Sequence, residues 1–187
     1  MPSNTLRVVV LSGSLRRESY STKLAKSFVK YAPQGVAAEI VQGIGELPFF
    51  NEDIEQAPPQ NVVEFIQNLK VADAFLFVTP EYNRSYTAVL KNAIDWASRS
   101  SDLIFYKKPA AVVGITPYTL GAFGAVHHLR QVLTYLNTAT LQQPEFHIER
   151  AAEKFNEAGD VTDETTIRHI HNFWVEYAAW MKQITAK

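Results

Sequence analysis

The chain alternates short apolar runs with amphipathic stretches in which apolar residues recur every three or four positions. Uninterrupted apolar runs are typical of strands buried on both faces, and the longer spacing is typical of helices with one buried face. The predicted strands are Val8–Leu11, Ala37–Val41, Ala74–Thr79, Pro109–Ile115 and a short one around Thr138–Leu141. A helical pattern follows each strand. This alternation predicts an α/β fold, doubly wound, with five parallel strands and helices on both faces.

Three of the strand-to-helix loops are rich in polar or aromatic residues. They follow the first, third and fourth strands, and the second and third of them are Pro80–Ser85 and Thr116–Gly124. In a doubly wound sheet the carboxyl ends of the strands lie at one edge, and ligands bind there. The sequence therefore predicts one cleft lined by all three loops.

The first of these loops lies within Val8–Thr22, where an apolar run ends in hydroxyl side chains, one glycine and two arginines. Backbone N–H groups at the start of the following helix favour an anion. The Gly-x-Gly-x-x-Gly turn and the Walker loop are both absent, which favours a terminal monophosphate over a dinucleotide or a nucleoside triphosphate. The candidate donors are Ser14, Ser19, Ser21 and Thr22, with charge from Arg16 or Arg17. The alternative is a serine-rich turn in which Ser19 or Ser21 simply caps the helix.

Composition narrows the class of protein. The 187 residues are 47% hydrophobic and 12% aromatic, which predicts one folded domain over residues 1–187. A formal charge of −1 favours neither nucleic acid nor a membrane surface as a partner. The chain has no Cys, which excludes disulfides and thiolate chemistry. No basic segment with a long apolar run is found at the N-terminus, so we expect a cytoplasmic protein.

The usual catalytic motifs are missing. There is no Gly-x-Ser-x-Gly elbow and no His-Glu-x-x-His helix. His127 and His128 are adjacent, and His169 and His171 are two apart, so neither pair shares a helix face and no metal site is expected. A cleft with a monophosphate site but no acid, base and nucleophile set indicates that a bound cofactor carries the chemistry.

Three segments together resemble the NAD(P)H-dependent FMN reductases, a flavodoxin-like family that includes quinone, chromate and azo reductases. The segments are Leu11–Ser21, Thr79–Asn83 and Leu90–Ser98, and the likeness extends over nearly the whole chain. The resemblance implies a flavodoxin-like strand order of 2-1-3-4-5 and FMN as the cofactor. It also implies NADPH or NADH as the hydride donor.

The resemblance also implies the site. The first loop would hold the FMN phosphate, Pro80–Asn83 would present backbone donors to the isoalloxazine ring, and Thr116 would contact the flavin. The residues so assigned are Ser14, Leu15, Arg16, Ser19, Tyr20, Ser21, Pro80, Glu81, Tyr82, Asn83, Arg84 and Thr116. The chain departs from the usual family pattern at Ser21, Arg84, Thr87-Ala88 and Tyr118. Tyr118 stands where the family has glycine, which places a bulky ring beside the cleft.

The function implied is an FMN-dependent oxidoreductase that passes electrons from NAD(P)H to a small acceptor by a ping-pong mechanism. A quinone, a flavin, an azo compound or a metal oxyanion could be that acceptor. Two other hypotheses stay open: a non-enzymatic electron carrier, and a flavin-free regulatory protein of the same fold. A homodimer or homotetramer is expected, with Phe49 and Phe50 of an apolar loop in the contact.

Overall fold

The computed structural model describes residues 5–186, so the first four N-terminal residues considered for a targeting segment lie outside the described part. The strands are β1 (Leu6–Ser12), β2 (Val36–Ile40), β3 (Ala74–Thr79), β4 (Pro109–Ile115), β5 (Ala139–Thr140) and β6 (Phe146–Ile148). The helices are α1 (Tyr20–Lys30), α2 (Gln60–Lys70), α3 (Ala88–Ser98), α4 (Phe123–Tyr135) and α5 (Glu164–Thr185). No helix among these residues is both long and apolar enough to cross a membrane.

The sheet has the predicted parallel order, β2-β1-β3-β4-β5, with helices on both faces. One correction concerns the number of strands. β5 pairs with the start of β4 at Pro109 and Ala110, and a sixth strand, β6, pairs with its end from Val113 to Ile115. β6 is only three residues long, which is shorter than the apolar runs from which strands are recognised. The sheet is therefore six-stranded, with two short strands sharing one edge.

Strand β3 shows why the sequences of the central strands are continuously apolar. All six of its residues are buried, because successive side chains alternate between two cores. Phe75 and Phe77 pack in the core under α2, α3 and α4, whereas Leu76 and Val78 pack in the core under α1 and α5. Each core therefore receives every second residue of the same strand.

Two helices begin at side-chain caps. Ser19 accepts a hydrogen bond from the N–H of Thr22 at the start of α1. Asp163 accepts hydrogen bonds of 2.7 Å from both the N–H and the hydroxyl of Thr166 at the start of α5. These bonds lower the pKa of the Asp163 carboxyl.

Helix α5 is fixed to the sheet by a buried phenol. Tyr177 is fully buried, and its hydroxyl donates a 2.6 Å hydrogen bond to the carbonyl oxygen of Phe75 in β3. Burial raises the pKa of Tyr177 well above its ordinary value, so the hydroxyl keeps its proton and remains a donor.

We expect Tyr177→Phe to lower the free energy of unfolding by about 1–2 kcal/mol, because a buried carbonyl loses a donor while the ring still fills its space. Tyr135→Phe is the matched control, since Tyr135 is 88% exposed and should not change stability. Urea unfolding of both variants measures the difference. Equal stabilities for the two variants would show that the buried hydrogen bond contributes nothing.

Candidate functional site

The loops that follow β1, β3 and β4 line one cleft of about 440 Å³ at the carboxyl edge of the sheet. The lining residues are Ser14, Arg16, Ser19, Tyr20, Ser21, Pro80, Glu81, Tyr82, Ile115, Thr116, Pro117 and Tyr118. The expectation that the three loops meet in one cleft is therefore confirmed. The volume falls within the range of small-molecule and cofactor pockets.

One end of the cleft is formed by the start of α1. The hydroxyl oxygens of Ser19 and Ser21 lie 2.8 Å apart, and both residues are almost completely buried. Among residues 5–186 the backbone N–H groups of Tyr20 and Ser21 make no hydrogen bond, as is usual for the first turn of a helix. That turn carries no acidic side chain. The first turn of α1 therefore combines hydrogen-bond donors with the positive end of the helix dipole, which favours binding of an anion.

Arg16 adds positive charge to the same end. Its guanidinium lies 5.5 Å from the centre of the Tyr20 ring and faces the cleft as an exposed side chain. Lys23 is instead paired with Glu18 at 3.0 Å, and this pairing lowers the pKa of Glu18. Arg17 does not line the cleft. Of the two arginines that the sequence offered, Arg16 is the one placed to bind an anion.

The second loop turns sharply at the edge of the cleft. Tyr82 and Ser85 exchange two backbone hydrogen bonds, of 2.9 and 3.0 Å, across Asn83 and Arg84. Both residues of the turn have positive φ, 50° and 66°, as in a type I′ turn. The turn carries Asn83 and Arg84 away from the cleft lining, and Tyr82 stands 55% exposed at its edge.

Among residues 5–186, Glu81 is the only acidic residue in the cleft lining, but its carboxylate is bound by other groups of the protein. One oxygen accepts a 3.1 Å hydrogen bond from the N–H of Ala125 in the first turn of α4. The other lies 3.5 Å from the Arg84 guanidinium. A carboxylate at a helix N-terminus stabilises that helix and ties the second loop to α4. Glu81 is therefore a structural residue of the site.

The third loop is fixed by backbone hydrogen bonds. The N–H of Thr116 donates to Ile148 in β6, and its carbonyl accepts from Ala151. Three consecutive residues then have positive φ, namely Leu120, Gly121 and Ala122 at 78°, 53° and 63°. A Cβ at Gly121 would lie only 2.7 Å from the His147 Cβ, so this turn requires glycine. The loop leaves Tyr118 77% exposed beside the cleft.

Nine of the twelve residues assigned from the sequence line the cleft. The three that do not are Leu15, Asn83 and Arg84. Leu15 is 64% exposed, and its side chain lies against Gly45. A Cβ added to Gly45 would lie only 2.6 Å from Cδ2 of Leu15. The lining residues not assigned from the sequence are Ile115, Pro117 and Tyr118, all of which lie within two positions of Thr116 in the chain. Tyr118 could have been assigned to the site, because the sequence comparison with the family already places its bulky ring beside the cleft.

The sequence model of the NADPH-dependent FMN reductases matches residues 6–153. The chain belongs to this family. It is 43% identical to a quinone reductase of Pseudomonas putida over 182 residues, covering 96% of this chain and 97% of the relative. It is 37% identical to a 2-hydroxy-1,4-benzoquinone reductase of a Burkholderia species, covering 95% and 97% of the two chains.

A solved structure of a flavoenzyme NAD(P)H:(acceptor) oxidoreductase from Paracoccus denitrificans has the same fold. It superposes with a TM-score of 0.87 at 36% identity, covering 95% of this chain and 98% of the other. As an FMN reductase family member, the chain is an oxidoreductase that uses FMN and NAD(P)H. The cleft fits FMN: its anion-binding end suits a monophosphate, and its volume suits a cofactor of this size.

Proposed function

We propose that the chain is an NAD(P)H:quinone reductase that binds FMN in the cleft described above. The observation that carries this proposal is the pairing of an anion-binding end at α1 with a more exposed end between Tyr82 and Tyr118. A cofactor held by its phosphate at the first end would leave room for a planar substrate at the second. The quinone as acceptor is supported by the names of the relatives that are 43% and 37% identical.

The FMN phosphate is assigned to Ser19, Ser21, Arg16 and the free N–H groups of the first turn of α1. The assignment is supported by the buried hydroxyls, the absence of acid in that turn and the exposed guanidinium. The ring would lie among Pro80–Tyr82 and Thr116–Tyr118. When bound, FMN supplies two-electron chemistry between NAD(P)H and an acceptor.

The protein's own contribution is binding and orientation. Glu81 is engaged by Ala125 and Arg84, and it is the only carboxylate in the cleft lining. The described part of the cleft lining therefore offers no free carboxylate and no histidine. The backbone N–H of Glu81 makes no hydrogen bond among the described residues, so it remains available to an electron-rich ring edge.

We expect Arg16→Ala to weaken FMN binding by about ten- to a hundredfold, because a charge-assisted contact to phosphate contributes about 1.5–3 kcal/mol. Riboflavin, which lacks the phosphate, should bind equally to wild type and variant. Fluorescence titration of the apoprotein with each ligand measures both affinities.

Arg17→Ala is the control for this experiment, because Arg17 carries the same charge one residue further on but does not line the cleft. It should leave FMN affinity near the wild-type value. An equal loss for FMN and riboflavin in Arg16→Ala, or an equal loss of FMN affinity in both variants, would contradict the phosphate assignment.

We propose a ping-pong mechanism, since one exposed region flanked by Tyr82 and Tyr118 must serve both NAD(P)H and the quinone. Steady-state kinetics should then give parallel double-reciprocal lines. Tyr118→Gly should speed the loss of flavin absorbance after rapid mixing with NAD(P)H, because it removes the bulky ring beside the cleft. Tyr118→Phe keeps that bulk and should behave like wild type.

Two outcomes would contradict this mechanism. Intersecting lines would mean that both substrates occupy the site together. If NAD(P)H reduces neither wild type nor Tyr118→Gly while a protein donor does reduce them, the chain is an electron carrier.

We also propose that the chain is at least a dimer, with Phe49 in the contact. Phe49 is 81% exposed, whereas Phe50 packs edge-on against Trp96 at 5.1 Å and is less available. Light scattering at micromolar concentration should give at least twice the mass of 21.1 kDa, and Phe49→Ser should reduce it. A monomeric wild type would contradict the proposal.

A further inference from the structure

A second group of chemically active side chains lies at the β6 edge of the sheet, outside the FMN cleft. It consists of His127 on α4, Glu145 just before β6, and His147 within β6. Glu145 and His147 also line a separate cavity of about 340 Å³. None of the three residues lines the FMN cleft.

The three side chains converge on a common point. His127 Nε2 lies 3.5 Å from one carboxylate oxygen of Glu145, and His147 Nε2 lies 3.6 Å from the other. All three candidate ligand atoms lie within 4.8 Å of one another. Both Nε2 atoms are buried and have no hydrogen-bond partner among residues 5–186. The contacts to Glu145 are too long to replace those missing bonds.

The tautomer of His147 follows from its other nitrogen. Nδ1 lies 3.3 Å from the carbonyl oxygen of Gly121, which can only accept, so the Nδ1 proton is used there. In the neutral ring, Nε2 then points a lone pair toward the carboxylate. Phe123 packs against both imidazoles, with ring centres 4.1 Å from His127 and 5.7 Å from His147.

Two unpartnered imidazole Nε2 atoms and a carboxylate that lie within 4.8 Å of one another form a donor set for a cation. We propose that His127 Nε2, His147 Nε2 and Glu145 bind a divalent transition metal of the zinc class, with solvent completing the coordination. Two histidines and a carboxylate with an open position are typical ligands for Zn²⁺. The Gly121 carbonyl behind His147 is the kind of partner that orients a metal-binding imidazole.

The position of the group gives the bound metal a structural role. It would join α4 to β6, and through Gly121 it would hold the third loop, where three consecutive residues have positive φ. That loop also lines the FMN cleft. The metal would thus fix the backbone behind the cleft without contacting its contents.

Arg130 places a positive charge beside the proposed metal ligand Glu145. Its guanidinium lies 3.6 Å from the Glu145 oxygen that also faces His127. Arg130 is partly buried, and its Nε has no hydrogen-bond partner among the described residues. A fixed positive charge beside the carboxylate opposes a second cation, so metal binding should be weaker than in a site without it. Removing the charge should therefore tighten binding.

Calorimetric titration of the FMN-loaded protein with Zn²⁺ tests the proposal. We expect one Zn²⁺ per chain, and a loss of affinity of more than about a hundredfold in His147→Ala and in His127→Ala. Arg130→Gln should bind Zn²⁺ at least about tenfold more tightly. Zn²⁺ should also raise the Tm of wild type but not of His127→Ala, which gives a readout independent of activity.

His128→Ala is the matched control. His128 is the next residue on α4, but its ring faces the second loop, where Nδ1 lies 2.9 Å from the hydroxyl of Ser85. It should bind Zn²⁺ as wild type does. If His147→Ala does not fold, His127→Ala alone tests the proposal. His127 lies on a partly exposed helix face, so its substitution should leave the fold intact. Absence of binding to wild type, or unchanged binding in His127→Ala, would overturn the proposal.

Discussion

The parallel register of the three central strands is the constraint on which the rest of the structure depends. β1, β3 and β4 are paired so that Ser12 lies beside Val78 and Thr79 lies beside Gly114. All three strands therefore end at one level, and their loops must open on the same edge. Gly13 continues the pattern, because its N–H still donates to Val78. The two buried cores hold this register, since a one-residue slip would exchange every side chain between them.

Side chains form the part of this edge at α1, whereas the backbone determines the shape of the other two loops. At the start of α1, buried hydroxyls, the exposed Arg16 and N–H groups that make no hydrogen bond among residues 5–186 form an arrangement that favours an anion. In the other two loops, backbone hydrogen bonds and positive-φ turns fix the chain path, and the one carboxylate serves α4. The scarcity of free acidic and basic side chains in the cleft agrees with a family in which FMN carries the chemistry.

Much of this could be predicted from the sequence because the signals are local. Ala74–Thr79 and Pro109–Ile115 are continuous apolar runs, and their strand bounds agree with prediction. Signals that depend on tertiary structure were missed. β6 is too short to recognise, Leu15 turns toward Gly45, and the Tyr82–Ser85 turn removes Arg84 from the cleft lining. His127 and His147 lie on different elements, so a search for pairs within one helix could not bring them together.

A crystal structure of the protein with FMN tests the central claim most directly, namely that the three loops form one FMN site with the phosphate at α1. The account predicts the phosphate within hydrogen-bond distance of Ser19, Ser21 and Arg16, and the ring among Pro80–Tyr82 and Thr116–Tyr118. FMN bound with its phosphate facing solvent or another element would contradict the account. So would FMN bound outside the cleft.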